Sequence, residues 1–335
     1  LNEATGVREN AQEVCEQGRV VSAVFTAGAT SLLAATVWIT FGSYAGVVAG
    51  LLLLTNHQLF ELAHYLKEDP SLLFGIAAWL FGLMLYWRTP GRATAAVLGV
   101  GAALALSGKY LGAFAPLLTL GLVPFHAPRG RKLSATLSFL LPLVATFAAI
   151  NLPLVLHYSE FRASFDREVD LAVHGHRGIT RSVPHPVYLY AFRDNINYLL
   201  WLPILWFYGV YCRRERLTGF QWTLALFPVV YLVVLSFIPK ENDCYFLPAN
   251  ALFLCTAAVG LGDFCATLAG RHANGQPVLP AALVRWLRSL TNRGSRLFWQ
   301  CSLPAILALV AVAAQLPGLL RYYRAFQVDD LARLT

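Results

Sequence analysis

Long apolar runs separated by short polar breaks form the main pattern of this 335-residue chain. A helix needs about 20 mostly apolar residues to cross the hydrocarbon core of a bilayer. The pattern predicts ten membrane spans, of which the shortest are also consistent with re-entrant segments or buried core helices. The predicted spans cover residues 20–39, 44–55, 71–87, 93–106, 111–125, 134–157, 196–212, 222–238, 247–268 and 298–320.

The composition agrees with this pattern. Hydrophobic residues make up 57% of the chain and charged residues 13%, with a mean hydropathy of +0.55. A soluble domain carries about 25% charged residues, and a disordered chain buries little apolar surface. These comparisons exclude an ordinary soluble protein and a disordered one. We therefore expect an all-α, polytopic transmembrane helical bundle in which residues 1–335 form one membrane domain.

Charged residues predict which side of the membrane each loop faces. If the loops alternate, one set holds 13 Lys and Arg with one acid, whereas the opposite set holds 13 basic residues with 16 of the 18 acids. The first set comprises residues 88–92, 126–132, 213–216 and 271–296. Because cytoplasmic loops are enriched in Lys and Arg, we expect this set to face the cytoplasm. Residues 1–19 are then an outward amphipathic segment, residues 158–195 an outward loop and residues 269–297 a cytoplasmic loop.

The start of the chain is polar. It begins with Leu1 rather than Met, and its first 19 residues do not form a signal peptide. Since both termini are predicted to face outward, we expect a first membrane helix upstream of Leu1.

The first stretch with candidate chemistry is residues 56–70, which end in Glu68 and Asp69 at the edge of a predicted span. Partial desolvation makes a carboxylate a stronger base, so either acid is a candidate general base. Alternatively, Asp69 with the following Pro70 simply caps the helix.

Metal ligands are only weakly suggested. His57, Glu61 and His64 share one helical face and are spaced to bind a metal, although a solvated polar face explains them more simply. The six cysteines form no C-x-x-C pair. A divalent metal is possible but not indicated, and no cofactor is predicted.

Two further outward breaks carry cations that suit a phosphate group. Lys109 lies between two apolar spans, where it either meets an anion such as a lipid headgroup or anchors the chain at the interface. Residues 238–248 contain Lys240 and Tyr245, which suit a phospholipid-like substrate. A tight polar turn without a ligand is equally consistent with this second stretch.

The long outward loop contains His174, His176, Arg177 and Arg181. The two histidines are two positions apart and do not share a helical face, so they are a weak metal site. The two arginines are suited to close over an anionic substrate. The chain has no P-loop, G-x-S-x-G, H-E-x-x-H or dinucleotide motif, so we expect neither soluble-type nucleotide chemistry nor a nucleic-acid partner.

Taken in order, these stretches resemble the GT-C fold glycosyltransferases, the superfamily of dolichyl-phosphate-mannose protein mannosyltransferases and aminoarabinose lipid A transferases. RVVSAV at residues 19–24 is similar to the family's R-x-x-S-A-L, and Gly42 falls where the family's helix pair turns. HYLKEDPSLLF at residues 64–74 and LALSGKYLGAFA at residues 104–115 resemble its acidic loop and its L-x-x-K-Y/G-x-x-x-L segment. Residues 239–248 resemble its K/R-x-x-R-Y-L-L-P motif, although Asp243 and Cys244 stand where a basic residue is common.

The resemblance implies an inverting transfer of a sugar from a polyprenyl-phosphate donor to a hydroxyl of a glycan, lipid or protein. It implies a site on the periplasmic face of a bacterial inner membrane, among membrane lipids. Asp69, with Glu68 as the fallback, would be the catalytic carboxylate in this chain, and the family's main catalytic acid would lie upstream of Leu1. Lys109, Lys240 and Tyr245 would bind the lipid phosphate.

Two other functions stay open at this point. One is a catalytically inactive relative that binds a lipid or serves as a scaffold in a membrane complex. The other is a transporter, which ranks last because nearly all charges lie in loops and no inverted repeat is evident.

Overall fold

The structure, a computed structural model, describes residues 11–65, 67–174, 201–215, 217–238, 243–268 and 302–333. These residues form α-helices and two short 3-10 turns, Tyr110–Ala113 and Asp243–Phe246, and include no strand. The predicted all-α fold is therefore confirmed. The predicted cytoplasmic loop at residues 269–297 lies outside the described residues.

The helices of the described part are numbered here in chain order. They are α1 (Ala11–Phe41), α2 (Ser43–Leu54), α3 (His57–Ala63), α4 (Asp69–Arg88), α5 (Arg92–Gly108), α6 (Phe114–His126), α7 (Lys132–Leu156), α8 (Tyr158–His174), α9 (Trp201–Arg213), α10 (Gly219–Ser236), α11 (Leu247–Leu268), α12 (Leu303–Ala313) and α13 (Leu316–Arg333). Gly42 separates α1 from α2 with a φ of 103°, a backbone conformation that favours glycine.

Six helical segments of the described residues are long and apolar enough to cross a membrane: Glu16–Phe41, Asp69–Arg88, Lys132–Leu156, Gly219–Ser236, Cys244–Cys265 and Pro304–Arg324. Helices α2 and α3 make a further candidate span that is bent by 58°. Arg92–Gly108 and Tyr110–His126 are shorter apolar segments. The chain is an integral membrane protein, whereas the predicted count of ten spans is not confirmed.

One predicted loop is partly helical. Tyr158–His174, the first part of the predicted outward loop, forms the amphipathic helix α8. Its larger apolar side chains, such as Phe161, Phe165 and Val169, recur at helical spacing among many charges. The segment is too polar to cross a bilayer, so the helix lies within the predicted outward loop, and the outward placement of residues 158–195 stays a prediction.

The chain divides into two compact units. The first unit comprises Leu1–Leu33, Gln58–Tyr188 and Val233–Pro248. The second unit comprises Ala34–His57, Leu189–Leu232 and Ala249–Thr335.

Within the first unit, α4 and α5 pack with their backbones in close contact. A Cβ atom built on Gly101 would lie 2.6 Å from the Trp79 backbone nitrogen, and one on Gly108 would lie 2.6 Å from the Leu72 nitrogen. A Cβ on Gly75 would overlap the Ala105 backbone. These glycines let two antiparallel helices approach closely, and their packing sets the register between the start of α4 and the end of α5.

Helix α7 packs mainly against α5 and to a lesser extent against α6, and much of its surface is exposed. Its buried side chains are Ala135 and Phe139, and a Cβ on Gly99 of α5 would overlap the Phe139 carbonyl. Large apolar side chains such as Val144 and Val155 are exposed along the helix. In an integral membrane protein, such a surface faces lipid.

Within the second unit, three buried amides meet where helices are interrupted. The Asn56 Nδ2 donates to Gln315 Oε1 at 3.2 Å, and Asn250 Nδ2 donates to Asn56 Oδ1 at 3.0 Å. The Gln315 Nε2 donates to the Leu52 carbonyl at 3.0 Å and to the Thr55 hydroxyl at 3.1 Å. Asn56 lies between α2 and α3, and Gln315 lies between α12 and α13, so this amide network satisfies polar groups at two breaks.

Candidate active site

The helix packing of the first unit brings the start of α4 and the end of α5 to the same place. Asp69 is the first residue of α4, and Glu68 holds the N-cap position without a side-chain capping bond. Lys109 follows directly after α5. Asp69 therefore lies inside the first turn of α4, where the helix dipole stabilises a carboxylate. It does not occupy the N-cap position that the capping alternative requires.

The charged side chains here form a cluster around one lysine. The Lys109 Nζ lies 2.8 Å from Asp69 Oδ1 and 2.9 Å from Glu68 Oε1. The same ammonium lies 4.3 Å from the centre of the Tyr245 ring, a cation–π distance. The four residues Glu68, Asp69, Lys109 and Tyr245 are called the Lys109 cluster below.

Burial differs sharply across the cluster. The Asp69 side chain is 1% exposed and the Lys109 side chain 10%, whereas the Glu68 side chain is 59% exposed. Tyr245 is buried beneath the lysine. Asp69 is thus available mainly to Lys109, and Glu68 is the carboxylate of the cluster that reaches solvent.

The charge state of Lys109 follows from its neighbours. Burial alone would favour the neutral amine, but the Asp69 and Glu68 carboxylates outweigh burial and raise the pKa of Lys109 above its ordinary value. The side chain is therefore an ammonium at neutral pH. It acts as a hydrogen-bond donor and a positive charge, and it does not accept a proton.

Lys67 is a second cation at this site, and the sequence analysis did not single it out. Its Nζ lies 3.9 Å from the Sγ of Cys244, the residue directly before Tyr245. The Lys67 side chain is exposed, whereas Cys244 is buried. The available signal was its position next to Glu68 in the run KEDP, because a basic residue that adjoins two candidate acids is drawn into the same site.

The predicted site residues have different outcomes. Glu68, Asp69, Lys109 and Tyr245 lie together, and their catalytic or binding roles stay predictions. Lys240, His176, Arg177 and Arg181 lie outside the described residues. His174 ends α8, where its exposed ring lies 2.9 Å from Asp170 of the same helix.

Other candidate groups do not form a metal centre in the part of the chain that the structure describes. No group of three or more His, Cys, Asp or Glu there is arranged to hold an ion. The His64 Nδ1 lies 2.6 Å from the Phe60 carbonyl oxygen in the preceding turn.

A family model and solved crystal structures resemble this chain. The dolichyl-phosphate-mannose-protein mannosyltransferase model matches residues 13–167, which include Glu68, Asp69 and Lys109. The crystal structure of ArnT from Cupriavidus metallidurans in the apo state superposes with a TM-score of 0.58 at 16% identity, covering 90% of this chain and 61% of that chain. This likeness shows that the chain has a GT-C fold.

A second structure of the same ArnT, bound to undecaprenyl phosphate, superposes on this chain with a TM-score of 0.53 at 16% identity. It covers 90% of this chain and 63% of that chain. This chain therefore spans about three fifths of the length of the ArnT chains. Curated proteins give no match.

Proposed function

We propose that the protein is an integral-membrane glycosyltransferase that moves a sugar from a polyprenyl-phosphate donor to an acceptor hydroxyl. The GT-C fold and the mannosyltransferase match support this class of reaction. The observation that carries the proposal is the Lys109 cluster, which places carboxylates and an ammonium together at the ends of apolar helices. A lipid tail can remain in hydrocarbon while its phosphate and sugar meet these groups.

The reaction needs a proton acceptor and a positive charge. The acceptor oxygen attacks the anomeric carbon and forms the new C–O bond, while the bond from that carbon to the phosphate oxygen breaks. The bonding electron pair leaves with the polyprenyl phosphate, and the proton of the acceptor hydroxyl passes to a carboxylate. A nearby ammonium stabilises the negative charge of the departing phosphate.

Of the two candidate carboxylates, Glu68 fits the role of proton acceptor better. Asp69 is almost fully buried and pairs with Lys109, so an acceptor hydroxyl does not reach it without breaking that pair. Glu68 is 59% exposed and remains in contact with the same lysine. We therefore assign proton transfer to Glu68 and give Asp69, which the sequence analysis ranked first, the role of holding Lys109.

We place this chemistry on the outer face of the membrane, which would be the periplasmic face of a bacterial inner membrane. The support is the distribution of Lys and Arg, because the loops on the predicted cytoplasmic side hold only one acid. Acceptors of three kinds carry a suitable hydroxyl, namely a glycan, a lipid and a protein.

The test is transfer of labelled sugar from a panel of polyprenyl-phosphate sugars by the complete gene product in lipid nanodiscs. We expect the unchanged protein to transfer label and Glu68→Gln to lower kcat about 100-fold or more, the range for loss of a general base. Glu160→Gln, a matched change of an exposed acid in α8, should leave kcat unchanged. Full activity in both Glu68→Gln and Asp69→Asn would contradict the assignment of this cluster.

One observation favours an alternative, a catalytically inactive relative that binds the lipid. Asp69, the acid that the sequence analysis ranked first, is buried in an ion pair with Lys109 and is therefore not free to accept a proton from a substrate. Binding of polyprenyl phosphate without any sugar transfer from the panel would support the alternative and contradict the enzyme.

A further inference from the structure

Basic side chains gather at the end of the α4–α5 pair that lies opposite the Lys109 cluster. Two loops there, residues 88–92 and 126–132, are called the basic loops below. Their five exposed basic residues are Arg88, Arg92, Arg129, Arg131 and Lys132. Helix α4 has 20 residues and joins the cluster to the first basic loop. Because such a helix is about 30 Å long, the basic loops are a separate site from the cluster.

Contacts between neighbouring helices join the two basic loops into one surface. The Arg92 Nε donates to the Ser134 Oγ at 2.8 Å, which ties the start of α5 to the start of α7. The His126 ring stacks on the Trp87 ring with their centres 4.2 Å apart, which ties the end of α6 to the end of α4. All of these residues belong to the first unit.

The helices that carry the basic loops supply no acid to balance them. Residues 70–159, which include all of α5, α6 and α7, contain neither Asp nor Glu. Arg92 and Lys132 are moreover the first residues of α5 and α7, a position at which the helix dipole disfavours a cation. An anion that balances this charge must therefore come from outside these helices.

Large apolar side chains flank the second basic loop. Phe125 precedes it and is 86% exposed, and Leu133 follows it and is 73% exposed. In an integral membrane protein, such exposed apolar side chains face lipid. A phospholipid with an acidic headgroup combines the two chemistries that this surface offers, whereas a free phosphate ion has no apolar part.

We propose that the basic loops bind the headgroup of an anionic phospholipid, with Phe125 and Leu133 against its acyl chains. This site goes beyond the proposed function, because it lies at the other end of α4 and α5 and takes no part in sugar transfer. The enrichment of Lys and Arg in cytoplasmic loops sets orientation by number alone. Here a defined surface holds a lipid, in the leaflet whose anionic headgroups attract basic segments.

The experiment measures lipid binding to the delipidated complete gene product in a neutral detergent by native mass spectrometry. Phosphatidylglycerol should bind about tenfold or more tightly than phosphatidylcholine with the same acyl chains, since each cation near an anionic headgroup contributes roughly fivefold. Arg129→Gln with Arg131→Gln should remove most of this preference. Arg129→Lys with Arg131→Lys should keep most of it, because the charge remains.

The matched control is Arg162→Gln with Arg167→Gln, which removes two exposed arginines from α8 of the same unit. This variant should bind phosphatidylglycerol as the unchanged protein does. Inorganic phosphate, added as a competitor, should not displace the lipid, because it lacks the acyl chains that contact Phe125 and Leu133.

A second measurement uses the unchanged protein and does not depend on the insertion of any variant. A photoreactive phosphatidylglycerol should label peptides that contain the basic loops more strongly than a photoreactive phosphatidylcholine does. Both lipids should label the exposed surface around Val155, at the other end of α7, to the same extent.

Three results would overturn the inference. One is equal affinity of the unchanged protein for phosphatidylglycerol and phosphatidylcholine, or equal labelling of the basic loops by the two photoreactive lipids. Another is an equal loss of phosphatidylglycerol binding in the α8 control, which would indicate a general effect of net charge. The third is displacement of the lipid by inorganic phosphate, which would indicate a site for free anions. In each case the proposed sugar transfer would be unaffected.

Discussion

At the scale of single residues, Lys109 and Asp69 depend on each other. Replacing Lys109 with Gln leaves the buried Asp69 carboxylate without its ion pair. Removing one partner of a buried pair costs about 3–5 kcal/mol, so we expect a loss of about 3 kcal/mol in the free energy of unfolding. Reversible denaturation of the purified protein in mixed micelles measures this change.

The matched control for that prediction is the double variant Lys109→Gln with Asp69→Asn. Two neutral amides replace the ion pair, so most of the lost stability should return. If the single and double variants unfold at the same denaturant concentration, the unpaired charge is not the cause of the loss.

The pH dependence of the same pair follows from its pKa shift. Asp69 and Glu68 outweigh burial and raise the pKa of Lys109 above its ordinary 10.5 in the folded protein. A group whose pKa is raised by folding contributes stability that is fully present below the unfolded pKa and is lost as pH rises through the folded pKa.

We therefore expect the difference in melting temperature between the unchanged protein and the neutral double variant to be constant from pH 7 to about pH 9.5. It should shrink only above the ordinary lysine pKa of 10.5. Thermal unfolding followed across this range measures the difference. A difference that disappears below pH 9 would mean that Lys109 is not the stabilised charge.

The sequence predicted the members of the cluster better than their arrangement. Glu68, Asp69 and Lys109 stand out one by one as charges at the edges of apolar runs. Their contacts join positions 40 residues apart, which depends on how α4 packs against α5. Lys67 was missed because its position beside Glu68 does not by itself predict its contact with Cys244, which depends on tertiary packing.

At the scale of elements, the glycine contacts between α4 and α5 hold the cluster together. Gly75→Ala would drive a methyl group into the Ala105 backbone, which has no flexible end to move aside. Such overpacking costs about 1–3 kcal/mol, so we expect a lower unfolding free energy and lower transfer activity. Sugar transfer and denaturation of the same sample check both effects.

The matched control is Gly121→Ala in α6, where no atom lies within 4 Å of an added Cβ. This change should leave activity intact and stabilise the helix by about 0.5–1 kcal/mol, since alanine is the better helix former. Equal effects of the two alanine substitutions would show that close helix approach at Gly75 is unimportant.

Element boundaries were predictable where apolar runs are long and were lost where polarity is mixed. The run at residues 71–87 coincides with α4 because about 20 apolar residues have few alternatives in a membrane. Helix α8 was missed because its apolar residues cover one face only. Phe165 of this helix packs edge-on against Tyr110, a long-range contact that the local pattern does not reveal.

At the scale of the whole molecule, the predicted sidedness is directly testable across α7. Arg131 precedes this helix and Ser159 follows it, and both are exposed. The charge pattern predicts that position 131 faces the cytoplasm and position 159 faces outward. In intact cells, a membrane-impermeant thiol reagent should label Ser159→Cys and should label Arg131→Cys only after permeabilisation.

The unchanged chain, with its native cysteines, sets the background for that labelling. Cys244, Cys255 and Cys265 are buried, so these three should contribute little signal. The reverse labelling pattern would move the Lys109 cluster to the cytoplasmic side and remove the support for a periplasmic reaction.

The amide network of the second unit has a consequence for the permeability of the membrane. An interrupted helix exposes backbone groups that would otherwise draw water into the hydrocarbon region. Here the Gln315 side chain donates a hydrogen bond to the Leu52 carbonyl. The side chains of Asn56 and Asn250 are hydrogen-bonded in the same network, and all three amides are buried. The Leu52 carbonyl is thus satisfied by a side chain and does not recruit water, which helps the bilayer keep its barrier to ions where this helix bends.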